Sequence, residues 1–416
     1  MLFLFGFSLI LSIFAAIKCQ QCPDRYKRYS VNHSFCKPQN RTCSIVIEGV
    51  RDKDKALILD LHNKYRSKVA QGLEKRGGGL PKASNMMQLF WDKELEAVAT
   101  NWAKQCIYKH DCSDCRKVEN FAVGQNIGYI ENYCPSRGKC DIPQRNWTGI
   151  IQLFYDEVAI FPKRFLSNMQ FVGQSEYGHF TQMVWADTWK IGCGYIIYKN
   201  GNAYRQFFVC NYGPQGNILN QPMYKPGLPC TGCPSNSCCG YGCKHVVYPG
   251  LCQMKNPYEA PIYPPEGKYL FSCKFVSLDG DCKFSTTPGN RWSIRNTLSG
   301  KYVGVTLPGG SKANIDFSKP IKAKSNTFCI IINYRKGPTI AGKADTIKVK
   351  VHLEAKGLKT NDISLEPETG PDFFRHTLFA PWNAETKISI ILSVPVSSQP
   401  QYFDLQSIFA QEGKCK

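Results

Sequence analysis

Twenty-one cysteines in 416 residues set the strongest limit on what this chain can fold into. That density is foreign to reducing compartments and implies a disulfide framework made in an oxidising one. The cysteines also fall into even sets. Eight lie from Cys22 to Cys140, two are Cys193 and Cys210, six run from Cys230 to Cys252, and four from Cys273 to Cys415. The one left over is Cys19, which follows MLFLFGFSLILSIFAA, an apolar run ending in small residues like a secretory signal peptide, although without a leading Lys or Arg. Cleavage after Ala16 would leave Cys19 unpaired. Cleavage after Cys19 removes it, so a signal peptide is expected at 1–19. No later stretch is long and apolar enough to span a bilayer. The chain therefore reads as secreted and extracellular, with no transmembrane span.

The formal net charge is +20, without a long Lys/Arg block. It favours acidic surfaces. A solubilising basic exterior explains it better than a nucleic-acid site, and no nucleic-acid partner is expected. Asn32, Asn40 and Asn146 stand in N-x-S/T sequons and are glycosylation candidates.

In chain order, Cys22–Cys43 is turn-rich and reads as a stapled arm. Asp54 is positioned to cap a helix with apolar Leu57, Ile58, Leu61, Tyr65 and Val69 at the 3.6 period. Asp92 opens a second helix lined by Leu95, Val98, Ala99, Trp102 and Cys106, with His110 expected near its C-terminus, where the dipole favours a protonated ring. A third helix is expected from Trp147 to Phe161, with Glu157 in or beside its apolar stripe. Ile191–Tyr198 and Arg205–Asn211 read as a hairpin turning at 200–202, and Cys193 and Cys210, symmetric about that turn, are expected to bridge it. Trp102, Trp147 and Trp185 are expected in the core.

From Pro226 the grammar changes. Residues 226–252 pack six cysteines with almost no apolar periodicity, so cross-links must hold this hinge. A Pro-rich linker follows over 253–265, its PYEAPIYPP stretch reading as stiff. Residues 266–416 carry short apolar or alternating runs (YLFSCKFVSL, KYVGVTL, TFCIIINY, TIKVKVHLEA, KISIILSVPV, YFDLQSIFA), separated by Gly, Pro, Asn and Asp. That pattern predicts an all-β sandwich or jelly roll, with Cys273 and Cys415 near its ends as candidates to close it.

Two stretches, GHFTQMVWADT from Gly178 and FFVCNYGPQGNI from Phe207, resemble the two signatures of the CAP superfamily of cysteine-rich secretory proteins, antigen 5 venom allergens and class 1 pathogenesis-related proteins. Supporting matches are HNKYRSKVAQGLEKRG from His62, NWAKQCIYKHDC around Trp102, VGQNIG from Val123 and LFYDEV around Glu157. The hinge ending YPGLC resembles that of arachnid members. The resemblance implies an α/β fold over 20–225, a three-layer α-β-α sandwich with the arm attached. It also implies a cleft of two histidines and two acids. The positions that match are His110, His179 and Glu157. The second acid is replaced by Gln125, a departure shared with the insect antigen 5 branch.

Two imidazoles facing one cleft suit a divalent ion such as zinc at His110 and His179. Glu157 is the single carboxylate able to orient a ring or act as a base. Gln125 has no useful pKa, which weakens hydrolysis. The plainer reading is a polar network that fixes the cleft. His62 has no expected cleft role. No nucleophile elbow and no HExxH motif is present. The expected function is that of a non-enzymatic venom or salivary protein that binds a host or cell-surface target, or an apolar ligand such as a sterol or fatty acid. The alternatives are a channel- or receptor-modulating toxin, with 266–416 as targeting module, and a metal-dependent hydrolase or peptidase using His110, His179 and Glu157.

Overall fold

The computed structural model describes the chain from Cys22 to Gly413, apart from 174–175, 241–242, 244–247, 264–268, 290–291, 298–299, 359 and 366–372. The signal-peptide expectation, with Cys19, and Cys415 lie outside the described residues.

The first half is three layers deep. Its elements are α1 (Asp24–Lys27), β1 (Ile45–Glu48), α2 (Asp52–Ala70), β2 (Phe90–Trp91), α3 (Lys93–Ala103), β3 (Gly124–Tyr133), α4 (Trp147–Asp156), α5 (Gly178–Met183), β4 (Lys190–Asn200) and β5 (Ala203–Gly213). The sheet runs β1-β4-β5-β3, antiparallel, with short β2 added parallel to β4. Strand side chains alternate between faces, and β4 shows the result. Cys193, Tyr195 and Ile197 enter one core with α2, α4 and α5, while Ile196 and Tyr198 enter another with α3. Helix α3 lies directly on β4. A Cβ on Gly194 would meet the Thr100 nitrogen at 2.3 Å, so only glycine admits this approach. Trp102, Trp147 and Trp185 are all buried.

Several expectations are corrected here. Helix α2 starts at Asp52, with Arg51 as its N-cap, and Asp54 sits at the third helical position accepting the Arg51 N–H at 3.2 Å. Its buried stripe is not the apolar one: Ile58 and Val69 share it with His62, Asn63 and Arg66, while Leu57 is exposed. Helix α3 is capped by Asp92 as expected. It ends at Ala103, and the chain turns through positive φ at Cys106, so His110 is clear of the helix end. Helix α4 stops at Asp156 and continues only as a 3₁₀ turn over Glu157–Ala159. Pro162 disfavours helix at the residue before it.

The arm is stapled as expected, through Cys22–Cys36 and Cys43–Cys106, and the hairpin by Cys193–Cys210. The hinge, held by Cys230–Cys239, Cys233–Cys252 and Cys238–Cys243, lies along the first half. The Cys252 N–H reaches Met86 O, and the Cys252 carbonyl accepts from Gln88 N–H. Its β6 (Ser237–Cys238) pairs with β7 (Gln253–Met254) from the following segment. That segment is fastened too, Lys190 Nζ donating to Pro257 O at 2.6 Å.

The second half is a two-sheet sandwich. Its strands are β8 (Tyr269–Cys273), β9 (Phe284–Thr286), β10 (Ser293–Thr297), β11 (Gly300–Leu307), β12 (Lys312–Phe317), β13 (Phe328–Pro338), β14 (Lys348–Ala355), β15 (Asn361–Ser364), β16 (Phe374–Ala380), β17 (Thr386–Ser393) and β18 (Gln401–Glu412). One sheet runs β10-β11-β18-β13-β16 with β8 on β18, and the other β15-β14-β17-β12-β9. In β14 Val349, Val351, Leu353 and Ala355 are buried and the alternate residues face out, the period-2 pattern of a half-buried strand. Cys273 bridges Cys282, not Cys415, because the turn after β8 returns Cys282 beside it.

Candidate functional site

The cleft is assembled from loop, strand and helix. His110 lies in the loop after α3, Gln125 and Asn126 start β3, Glu157 follows α4, and His179 opens α5. With Asn217 they line one cavity of about 720 Å³. The structure therefore brings His110, Gln125, Glu157 and His179 to a single site.

Gln125 fixes the state of His110. Its amide nitrogen donates to Asp111 Oδ1 and Asn211 Oδ1, each at 3.1 Å. Its oxygen must then face His110 Nδ1, 2.8 Å away, so Nδ1 carries the proton and Nε2 keeps its lone pair. Burial, reinforced by Arg116 and His179, holds His110 below the usual imidazole range, although the Gln125 hydrogen bond and Asp111 work against it. The expectation of a dipole-stabilised cation at His110 is thus reversed: the ring stands clear of the α3 end, and partial burial works against the charged form.

Glu157 does a different job. One oxygen accepts His179 Nδ1 at 2.5 Å, and the other accepts the backbone N–H groups of His179 and Phe180 at 2.9 and 3.0 Å. It caps the first turn of α5 from outside the helix and sets the ring that the turn carries. Phe154 stacks on that ring, centroids 4.5 Å apart. In both histidines Nδ1 is taken, leaving Nε2 for a guest.

Further residues support the site. His62 Nδ1 donates to Ile58 O at 2.8 Å, so its Nε2 accepts from Tyr212 OH at 2.9 Å. Asn126 Nδ2 bonds both Tyr212 OH and His179 O, joining His62 to the underside of the cleft. Arg66, fully buried, donates to the carbonyls of Met87, Met183, Trp185, Ala186 and Thr188. Asn217 accepts from Thr181 Oγ1 and donates to Gly178 O, while Gln182 Oε1 accepts Gly216 N–H at 2.9 Å. The two sequence signatures are thus bonded to each other. Gly124 is needed where Gln182 passes, since a Cβ there would lie 1.9 Å from Gln182 Oε1. Asn126, Tyr212 and Asn217 stood inside quoted motifs, but nothing in a single sequence marks them as polar supports.

Of the sequon residues, Asn32 and Asn146 are exposed and Asn40 is half-buried. Asn146 Oδ1 caps α4 by accepting Gly149 N–H.

Residues 59–212 match the family model described as the cysteine-rich secretory protein family, CAP. The chain is 40% identical over 395 residues to "CRISP/Allergen/PR-1" of Trittame loki, covering 95% of both chains. The chain belongs to the CAP family. It is also 39% identical to "Venom allergen 5" of Tityus serrulatus, over 95% of this chain and 94% of that one. Solved Na-ASP-1 matches at 30% identity with a TM-score of 0.39, covering 52% of this chain and 51% of its own. With venom-allergen and cysteine-rich venom relatives along nearly its whole length, and bridges throughout, this CAP chain has the character of an extracellular venom protein. Among the described residues no helix is long and apolar enough to cross a membrane.

Proposed function

We propose that this CAP protein works by binding in the extracellular space, on a host or cell-surface protein, and that its cleft holds a polar guest without hydrolysing it. The observation that carries this reading is the occupancy of Glu157. Its two oxygens already accept three donors, and the second acidic place is Gln125. Neither of the two acidic places matched to the family therefore offers a free carboxylate to take a proton from water; the other lining carboxylate, Glu176, stands exposed just ahead of α5. Apart from Gly178, Ile160 and Phe171, the lining is polar. A sterol or fatty acid seated there would leave those polar side chains without partners, so we place any such ligand outside this cleft.

The donor set also fits a weakly held zinc ion. At each imidazole Nδ1 is held by an outer partner, Gln125 or Glu157, which leaves Nε2 as the ligand nitrogen. Among the described residues no group of three or more His, Cys, Asp or Glu side chains converges as a metal site. Zinc would therefore rest on His110 and His179 with water, and would supply polarisation of a bound oxygen. Calorimetry with zinc on the wild type and on H110A/H179A tests the ligands, beside peptide-cleavage and labelled-sterol assays. Expected are weak zinc binding lost in the double variant, no cleavage and no saturable sterol uptake. Zinc-dependent cleavage abolished by H110A/H179A would replace the binding reading with the hydrolase. Channel currents altered by the full chain would identify the partner as a channel.

A further inference from the structure

We propose that the Cys112–Cys115 bridge is a thiol–disulfide exchange site that oxidises a dithiol reaching it from solvent. The bridge closes a CxxC loop, Cys112-Ser113-Asp114-Cys115, with a sequence separation of only 3. The other described bridges span 5 to 63 residues. A loop this short removes the least chain entropy, so opening it costs the fold least. Access separates it as well. Among the described cysteines only Cys112 and Cys239 are exposed. Cys239 has its partner Cys230 nine residues away, and Cys193–Cys210 is shut inside the core.

The two sulfurs of the CxxC loop are unlike. Cys112 is exposed, whereas Cys115 is 7% exposed. The Cys115 backbone N–H donates to Cys112 Sγ at 3.0 Å. Cys115 Sγ lies 3.7 Å from Ser30 Oγ. The neighbouring carboxylates are engaged, Asp111 by Arg116 at 2.9 Å and Asp114 by Lys117 at 3.5 Å. One outward sulfur with a donor on it, backed by a buried partner, is the division of labour that exchange requires.

The step is an ordinary two-electron exchange. A substrate thiolate attacks Cys112 Sγ, the Cys112–Cys115 bond breaks, and Cys115 leaves as a thiolate that takes up the first thiol's proton. The substrate's second thiol then attacks the sulfur joined to Cys112. The substrate disulfide forms, and Cys112 leaves with the second proton. The substrate is oxidised and the bridge reduced, with no other reactant.

The test uses the full oxidised chain. Graded dithiothreitol, alkylation and mass-spectrometric mapping should show Cys112 and Cys115 labelled at least about tenfold faster than any other bridged pair. Cys230–Cys239 opening first, or all bridges opening together, would overturn the proposal. Single-cysteine forms provide a second reading. The Cys112 thiol left by Cys115→Ser should form a mixed disulfide with glutathione disulfide about tenfold faster than the Cys115 thiol left by Cys112→Ser. Equal rates would sink the assignment of Cys112 as the attacked sulfur.

Discussion

His62 is wholly enclosed, and its imidazole is pushed down to about 4, by burial first and by Arg66 second, against the pull of its bond to Ile58 O. From pH 6.5 down to about 4 an unfolded chain takes up a proton that folded His62 refuses. The stability this residue contributes is therefore complete above pH 6.5 and drains away as the pH falls through about 4. A depression of that size corresponds to about 3 kcal/mol. His62→Phe should lose that acid limb from a plot of melting temperature against pH. It should also begin about 1–3 kcal/mol lower at pH 7, because Tyr212 OH is left without an acceptor. An unchanged limb would show that another group carries the acid sensitivity. Gln125 allows a companion prediction. Gln125→Glu sets a carboxylate beside His110 and opposite Asp111, so the His110 titration, followed by NMR, should move upward. These residues also show what the sequence made legible. His110, Glu157, His179 and the substitution at Gln125 were readable from motifs. Their states were not, because a tautomer depends on Asp111 and Asn211, which reach the site by folding.

Helix α5 has only six residues and no side-chain cap of its own, too short to persist by helix propensity alone. It is held from outside, by Glu157 at its start and by Arg66 at its last residue, Met183, and at Trp185, Ala186 and Thr188 beyond it. Burial lowers Arg66 to about 9, with Asp187 the largest opposing influence, and the ring of five carbonyls keeps the cation tolerable. Arg66→Lys keeps a charge but not the planar fork, and one ammonium cannot reach five carbonyls. The expected cost is about 3 kcal/mol or more. Hydrogen exchange should quicken first at the N–H groups of 185–189, ahead of the β4–β5 hairpin. Uniform loss of protection would mean that Arg66 serves the whole core instead. The same contrast explains the legibility of the elements. Helices α3 and α4 and the hairpin announced themselves by period and cap. Helix α2 was foreseen, a few residues late, but turned wrongly, because its buried face carries His62, Asn63 and Arg66, polar groups whose partners outside the helix lie 21 to 150 residues away.

At the scale of the whole molecule, the arm, the CAP layers and the β-sandwich meet at Glu119. Its carboxylate accepts Tyr302 OH at 2.7 Å and pairs with Arg28 at 3.2 Å, while Arg335 stands at 3.7 Å and Arg295 at 3.8 Å. Arg335 is itself held by Asp404 at 2.8 Å, and Arg28 lies over the Tyr402 ring. The sequence marked the β-runs but not this junction, since a lone Glu in a loop carries no pattern. Burial pushes Glu119 up, but the Tyr302 hydrogen bond and the three arginines outweigh it and leave its pKa below 4.5. A depressed carboxylate adds stability that is complete above 4.5 and lost as the pH falls through its lower folded value. Acid should therefore loosen the junction, and salt should weaken it less than an exposed ion pair. Glu119→Gln keeps the shape but leaves Arg28 and Arg335 short of a counter-charge, a loss of about 1–3 kcal/mol at pH 7. Because the sandwich has its own two-sheet core, it should stay folded while separating from the CAP layers. X-ray scattering should then show a larger radius of gyration, and proteolysis within 255–263 should quicken, with the β-sheet signal retained. Identical scattering and cleavage would mean that the hinge contacts at Cys252 and Pro257 hold the two halves without Glu119.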